Sequence, residues 1–234
     1  MTAQTFIDRL STRGRILVLG GLAVIAHGLT RSTRDTDIWL EPFADLREWS
    51  EVLREVIAEF RGTAPYDLRR RCRVSPGDID GVVARDGVVR ISGLDRGLDV
   101  FRTPHNMTTD DFHEVWQRAA MNIPGVRIPE DIDILVTKEE TSRPQDIADI
   151  SFLEEKIRKR LSRTLPDCSL QQAEAIFQRY ADHATCEAAL QNRDAGVQRL
   201  AMQTLKAFAD AGDPFAERTL RDLKSPRQAS TGDD

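Results

Sequence analysis

The chain has 234 residues, 40% hydrophobic and 30% charged, with 38 acidic against 33 basic side chains and a net charge of −5. That length can bury one large core, or one core plus an appendage. The acidic balance excludes a protein that coats nucleic acid over its whole surface, and no uninterrupted apolar run is long enough to span a membrane.

Taken in chain order, residues 1–15 predict a leading helix with Phe6, Ile7 and Leu10 on its apolar side. This start has no signal-peptide core, so a cytoplasmic chain is expected. Strand 15–19 runs into Gly20-Gly21, then a short apolar helix over 21–28, a basic loop with Arg31, Thr33 and Arg34, and a strand over 36–40 ended by Pro42. Residues 44–60 show helical spacing from Leu46 to Phe60, and 62–77, rich in Arg, Pro and Gly, reads as loop. Val82–Ile91 predicts a hairpin turning at Asp86-Gly87, followed by a strand around Asp99. A helix is expected from Thr109 to Arg118, a strand over 126–128, and a helix after Pro129 carrying Ile132, Leu135 and Val136. Another helix opens at Pro144 and runs to about Leu161, Pro166 interrupts the pattern, and Leu170 to Leu223 reads as helical throughout. Ala188–Asp194 with Val197–Leu205 resembles one HEAT-type unit, but a single unit is read as a small helical appendage. The expected division is a domain over 1–163, a helical domain over 164–224 and a disordered polar tail over 225–234.

The chemistry concentrates at Gly20–Ile38. A strand alternates its side chains, so Asp35 and Asp37 share one face while Thr36 and Ile38 take the other. Two carboxylates side by side suit a divalent cation, and a glycine turn opening a helix beside them suits phosphate. The same Asp-x-Asp spacing at Asp78–Asp80 and Asp131–Asp133 has no glycine turn next to it and reads as turn or helix start. Asp99 is a lone acid in the apolar run Leu98–Phe101, either compensated in the interior or facing water from an edge strand. Two basic clusters, Arg69-Arg70-Arg71-Cys72-Arg73 and Lys156 to Arg163, are solvated surface or grips for a polyanion such as RNA. Cys72, Cys168 and Cys186 fit no ligand spacing and read as free thiols; His27, His105, His113 and His183 show none either, and His27 reads as a packed or hydrogen-bonded histidine.

The segment Gly20–Leu40 resembles the signature of the DNA polymerase β-like nucleotidyltransferase superfamily: a glycine pair, a helix, then Asp-x-Asp on a strand, with Asp99 as candidate third carboxylate. Lys138 followed by Arg143-Pro144-x-Asp146-x-x-Asp149-x-x-x-Leu153-Glu154 resembles later motifs of the stand-alone bacterial type, the AbiEii/MNT-like proteins. The likeness covers roughly residues 14–160 and implies an α/β fold, a mixed sheet flanked by helices, with the C-terminal helices appended. It implies that Asp35, Asp37 and Asp99 are catalytic and hold two Mg²⁺ ions. Gly20, Gly21, Arg31, Thr33, Lys138 and Asp146 would bind a nucleoside triphosphate, with Asp149 lining or buttressing the pocket. The acceptor hydroxyl is left open between RNA or tRNA, a protein and a small molecule, and a toxin–antitoxin or phage-defence role with a cognate antitoxin is consistent with the subtype. Gly20-Gly21 replaces the Gly-Ser of many members, removing one hydroxyl contact to phosphate. An idle nucleotidyltransferase-like binding module is the alternative; a metal phosphoesterase, which usually adds histidines, is a third.

Overall fold

A computed structural model describes residues 1–139 and 143–224; the expected tail lies outside them. The chain divides into two compact units, Met1–Leu153 and Glu154–Asp234, the division falling inside one long helix.

The first unit contains α1 (Ala3–Leu10), β1 (Ile16–Leu19), α2 (Gly20–Ala26), β2 (Asp35–Leu40), α3 (Leu46–Glu59), β3 (Ala64–Asp67), β4 (Cys72–Arg73) and α4 (Ile79–Asp86). It continues with β5 (Val88–Ser92), β6 (Gly97–Phe101), α5 (Asp111–Arg118), β7 (Ala120–Ile123), β8 (Val126–Ile128), α6 (Asp131–Lys138) and the first part of α7 (Pro144–Thr164). Among the described residues the strands form one eight-stranded sheet in the order β4-β3-β5-β6-β2-β1-β8-β7. The sheet is mixed: β2 runs parallel to β6, β1 parallel to β8, and the remaining neighbours are antiparallel. The chain is therefore α/β, a mixed sheet flanked by helices, with further helices at the C-terminal end.

Strand alternation decides what each face carries. Ile38, Leu40, Val89, Ile91, Leu98 and Val100 point to one face and join Phe6, Leu10, Trp49, Leu53 and Ile79 from α1, α3 and α4 in the main core. α3 is held at its start by Asp45, whose carboxylate accepts from the Glu48 amide at 2.9 Å, a cap worth about 1 kcal/mol. On the opposite face, Leu17, Leu19 and Trp39 pack under Phe112 and Val115 of α5. That second face is covered by apolar side chains at one end only. Its other end carries Asp35, Asp37 and Asp99.

Three local expectations are corrected. Residues 79–86 are helix, because Ile79, Val82 and Val83 repeat at helical spacing and all three are buried. Gly87, in the left-handed conformation at φ 69°, ends that helix where a hairpin turn had been expected. Residues 62–77 hold the β3–β4 hairpin, and the second strand is exposed, so hydrophobic alternation had nothing to report there. The leading helix spans only Ala3–Leu10; its start is tied down by Asp95, which accepts from the Ala3 amide at 2.7 Å.

The second unit contains the rest of α7, then α8 (Leu170–Arg179), α9 (His183–Leu190), α10 (Ala195–Asp210) and α11 (Pro214–Lys224). Cys186, Leu205 and Ala216 form its centre, with Phe177, Leu190 and Phe208 packed around them. Buried Asn192 donates to the carbonyls of Leu165 and Cys168 at 2.6 and 2.9 Å, satisfying backbone that would otherwise lose water unpaired. Arg158 pairs with Asp182, the capping residue of α9. Among the described residues no helix is long and apolar enough to cross a membrane.

Candidate active site

Directly paired residues of neighbouring strands share a face. Leu19 pairs with Asp37, Asp37 with Asp99, and Asp99 with Arg90, so β1, β2, β6 and β5 contribute to one row across the sheet. Asp35 pairs with Gly97 one step along the strands. The three acids named from the sequence thus come together on the sheet face that α5 leaves uncovered at this end. β6 is an interior strand, so Asp99 is buried, not the water-facing edge residue of the alternative reading.

Asp99 is compensated by a residue that the sequence reading left unused. Arg90 donates from Nε to Oδ1 at 2.6 Å and from Nη2 to Oδ2 at 2.8 Å, a two-point clamp, and its Nη2 lies 3.5 Å from Asp35 Oδ1. Gly97 makes room for this. A Cβ there would come within 2.6 Å of Asp35 Oδ1 and 3.1 Å of the Arg90 guanidinium carbon. A signal did exist: Arg90 is a lone cation in the apolar run Val88–Ile91, just as Asp99 is a lone acid in its own strand.

Asp37 lies deepest. Its burial, then the negative charges of Asp99 and Asp35, push its carboxyl up to about 6, while Lys138 and Arg90 offset part of that. Gly20 is what admits it. The residue sits at φ 56°, where side chains are strained, and a Cβ would meet Asp37 Oδ2 at 1.8 Å. Gly21 serves the neighbouring loop in the same way, since its Cβ would come within 2.6 Å of Arg31 Nη2 and 2.9 Å of Thr33 Oγ1. The glycine pair therefore seats Asp37, Arg31 and Thr33 against the β1–α2 turn. Thr33 donates to the Asp35 carbonyl at 3.1 Å, fixing the loop where β2 begins.

Behind that loop runs a line of alternating charges. Arg31 Nη2 donates to Asp149 Oδ2 at 2.7 Å, Lys138 Nζ lies 2.8 Å from the same oxygen, and Lys138 also reaches Asp146 Oδ1 at 2.8 Å. Asp149 is fully buried, and among the described residues neither its Oδ1 nor the buried Arg31 Nε has a hydrogen-bond partner. Lys138 and Asp146, expected to touch nucleotide, are thus built into a network that holds Arg31 in place, and Lys138 adds positive potential at Asp37. His27 is hydrogen-bonded as expected, with Nε2 at 2.8 Å from the Pro129 carbonyl. The other Asp-x-Asp pairs lie at helix starts, where two residues apart means different sides of the helix. Asp133 is forked by Arg118, and Asp80 pairs with Arg54.

The donor set can be tested for a divalent cation. Asp99 and Asp35 raise the proton affinity of Asp37, so the site is a focus of negative charge, and hard oxygen donors suit Mg²⁺. Asp35, Asp37 and Asp99 fit such an ion by chemistry and charge. Arg90 balances part of that charge, and among the described residues no three acidic, histidine or cysteine side chains are already gathered around a single cation position.

No family model and no curated protein matches the chain. Among solved structures, one described as "putative nucleotidyltransferase from H. pylori" is similar, at 14% identity over 95% of this chain and 96% of that one, with a TM-score of 0.37.

Proposed function

We propose that this chain is a metal-dependent nucleotidyltransferase of the polymerase β-like kind, moving a nucleoside monophosphate from a triphosphate to an acceptor hydroxyl. The observation that carries this reading is the convergence of Asp35, Asp37 and Asp99 on one open sheet face, against a glycine turn too tight for any side chain. In the reaction a bond forms between the acceptor oxygen and the α-phosphorus, the α–β phosphoanhydride breaks, pyrophosphate leaves, and the hydroxyl proton passes to a site carboxylate, Asp99 by the family likeness. Mg²⁺ held by the three carboxylates would supply charge neutralisation on the phosphates and a more acidic acceptor hydroxyl. Arg31 and Thr33, seated by Gly21, are the groups for phosphate oxygens, and Lys138 with Asp146 and Asp149 sets the position and field of Arg31. The stand-alone bacterial subtype, and with it a toxin–antitoxin role, rests on the Lys138–Glu154 pattern; toxicity on expression, relieved by a neighbouring gene product, is its test.

One observation favours a second reading, an idle scaffold: Arg90 engages both oxygens of Asp99. Mg²⁺-dependent binding of a nucleoside triphosphate, followed by titration calorimetry on wild type and on Asp35→Ala/Asp37→Ala, separates the two. The enzyme reading expects binding that needs both the ion and the acids.

A further inference from the structure

A second concavity lies where β6 ends. Trp39 pairs with Phe101, the next same-face pair along β2 and β6 after Asp37 with Asp99. Past Phe101 the chain turns through Arg102–Asn106, and a cleft of about 480 Å³ opens between this loop, the end of α4 and the start of α3. That volume falls in the range of small-molecule sites. Leu46, Val83 and Phe101 give it apolar walls, and Arg102 and the exposed His105 give it polar ones. Arg102 is three residues beyond Asp99, about 10 Å at the rise of a strand. The aromatic pair stands between them, Phe101 packing against the buried cluster of Trp39 and Phe112. The cleft is therefore separate from the carboxylate row.

The loop that carries Arg102 is fixed at three points. The Arg102 amide donates to the Gly87 carbonyl at 2.8 Å, and the Arg102 carbonyl accepts from Trp39 Nε1 at 3.0 Å. Asn106 holds a left-handed conformation at φ 56° and donates from Nδ2 to the Val136 carbonyl at 3.3 Å. A ligand meeting this loop does not have to order its backbone first. Arg102 itself is half-buried, and its Nε is out of water with no hydrogen-bond partner. Among the described residues its guanidinium makes no ion pair. The acid that shares the cleft, Asp86, is bonded at both oxygens by Arg85 and does not serve as its counter-charge. A cation drawn partly out of water without an opposite charge is unfavourable, and an anion in the cleft would relieve it. The apolar walls beside it favour an anion that brings an apolar body.

We propose that this cleft is a second ligand site, for a small organic anion whose carboxylate or phosphate group sits on Arg102 and whose apolar body lies against Leu46, Val83 and Phe101. The site does not depend on the nucleotidyltransferase reading. Its test is nuclear magnetic resonance on the ¹⁵N-labelled full chain without added metal. The chain has three tryptophans, Trp39, Trp49 and Trp116, and the indole N–H of Trp39 bonds the Arg102 carbonyl, so its signal reports on the cleft. Trp39→Phe identifies that signal. The probes are benzoate, phenyl phosphate, benzyl alcohol and inorganic phosphate. Benzoate or phenyl phosphate should shift the Trp39 signal saturably, the tighter of the two showing which head group is preferred. Benzyl alcohol, which has the body without the charge, should not. Inorganic phosphate, which has the charge without the body, should bind at least about 10-fold more weakly than the preferred probe, the worth of burying one aromatic ring. Arg102→Met keeps the apolar stem and removes the charge, and should weaken binding by roughly 10- to 150-fold, the range of one lost charged hydrogen bond. Ala84→Phe sets a ring into the cleft from an exposed position of α4 and should abolish binding with Arg102 intact. Circular dichroism confirms that each variant folds, and Ala84→Phe keeps the test valid should Arg102→Met not fold. No shift with either organic anion, a shift that survives a folded variant, or benzyl alcohol binding as tightly as benzoate overturns the proposal. Inorganic phosphate binding as tightly as phenyl phosphate, an adventitious ion only, overturns it as well.

Discussion

Replacing Asp37 by asparagine should make the metal-free protein more stable while destroying its site. Asp37 is crowded by burial and by the charges of Asp99 and Asp35, which lift its carboxyl from the ordinary 3.8 to about 6. Between about pH 4 and pH 6 the folded chain therefore holds a proton that the unfolded chain has released, and stability falls as pH rises across that window. Above it the ionised carboxylate costs about 3 kcal/mol. An asparagine side chain has the same shape without the charge. Asp37→Asn should thus gain up to about 3 kcal/mol at about pH 7.5 in chelator, and little at about pH 4, where the wild-type carboxyl is already protonated. At about 2–4 °C per kcal/mol for a chain of this size, the melting point should rise by about 6–12 °C. Urea titrations of both proteins at the two pH values measure it, following the transition of the Met1–Leu153 unit by its buried Trp39 and Trp49. Saturating Mg²⁺ should narrow the gap by stabilising the wild type alone. A gain of equal size at both pH values, or a loss at the higher one, would refute the idea that burial and the charges of Asp99 and Asp35 strain Asp37 here.

Arg90→Gln removes the clamp on Asp99 and should destabilise the metal-free chain by about 3 kcal/mol, with Mg²⁺ raising its melting point more than it raises that of the wild type; equal responses in differential scanning fluorimetry would count against Arg90 and the ion serving the same acids. Asp149→Ala leaves Lys138 and Arg31 short of their shared buried acceptor, so urea midpoints should report a loss of about 3–5 kcal/mol. Gly20→Ala forces a side chain onto φ 56° and into Asp37, and should cost at least about 1–3 kcal/mol along with all transfer activity. In the helical unit, burial pushes the Asp182 carboxyl up, but Arg158, the Thr185 amide and Tyr180 together outweigh it and hold it below its ordinary range. Its stabilisation is then complete above about pH 4 and lost as pH falls through the folded value; acid titration by circular dichroism should show a shallower loss for Asp182→Asn.

The sequence was most legible where one face of an element is buried and the other carries a distinct chemistry. Asp35 and Asp37 could be assigned a common face because a strand has only two, and Asp99 was noticeable because an acid among Leu98, Val100 and Phe101 needs compensation. Residues 79–86 misled because Val82-Val83-Ala84 is too short a run to separate strand from helix, and the deciding residue, Ile79, lies outside it. The β3–β4 hairpin was hidden because its outer strand is exposed and its turn is a run of arginines, which carry no periodicity. Arg90 and Gly97 were hidden for a different reason. Their roles come from cross-strand register, Arg90 with Asp99 and Gly97 with Asp35, and one sequence does not state which strands pair or in what register. The long-range network of Arg31, Lys138 and Asp149 belongs to the same class: only folding brings residues 31 and 149 within 2.7 Å.

The most direct measurement is transfer of label from each α-³²P nucleoside triphosphate with Mg²⁺, offering total RNA, protein lysate and small hydroxyl-bearing acceptors, beside an Asp35→Ala/Asp37→Ala variant. The expected result is label in one acceptor pool with the wild type and none with the variant. Label in no pool, together with no Mg²⁺-dependent triphosphate binding, would contradict the enzyme and leave the carboxylate row as the core of a binding scaffold.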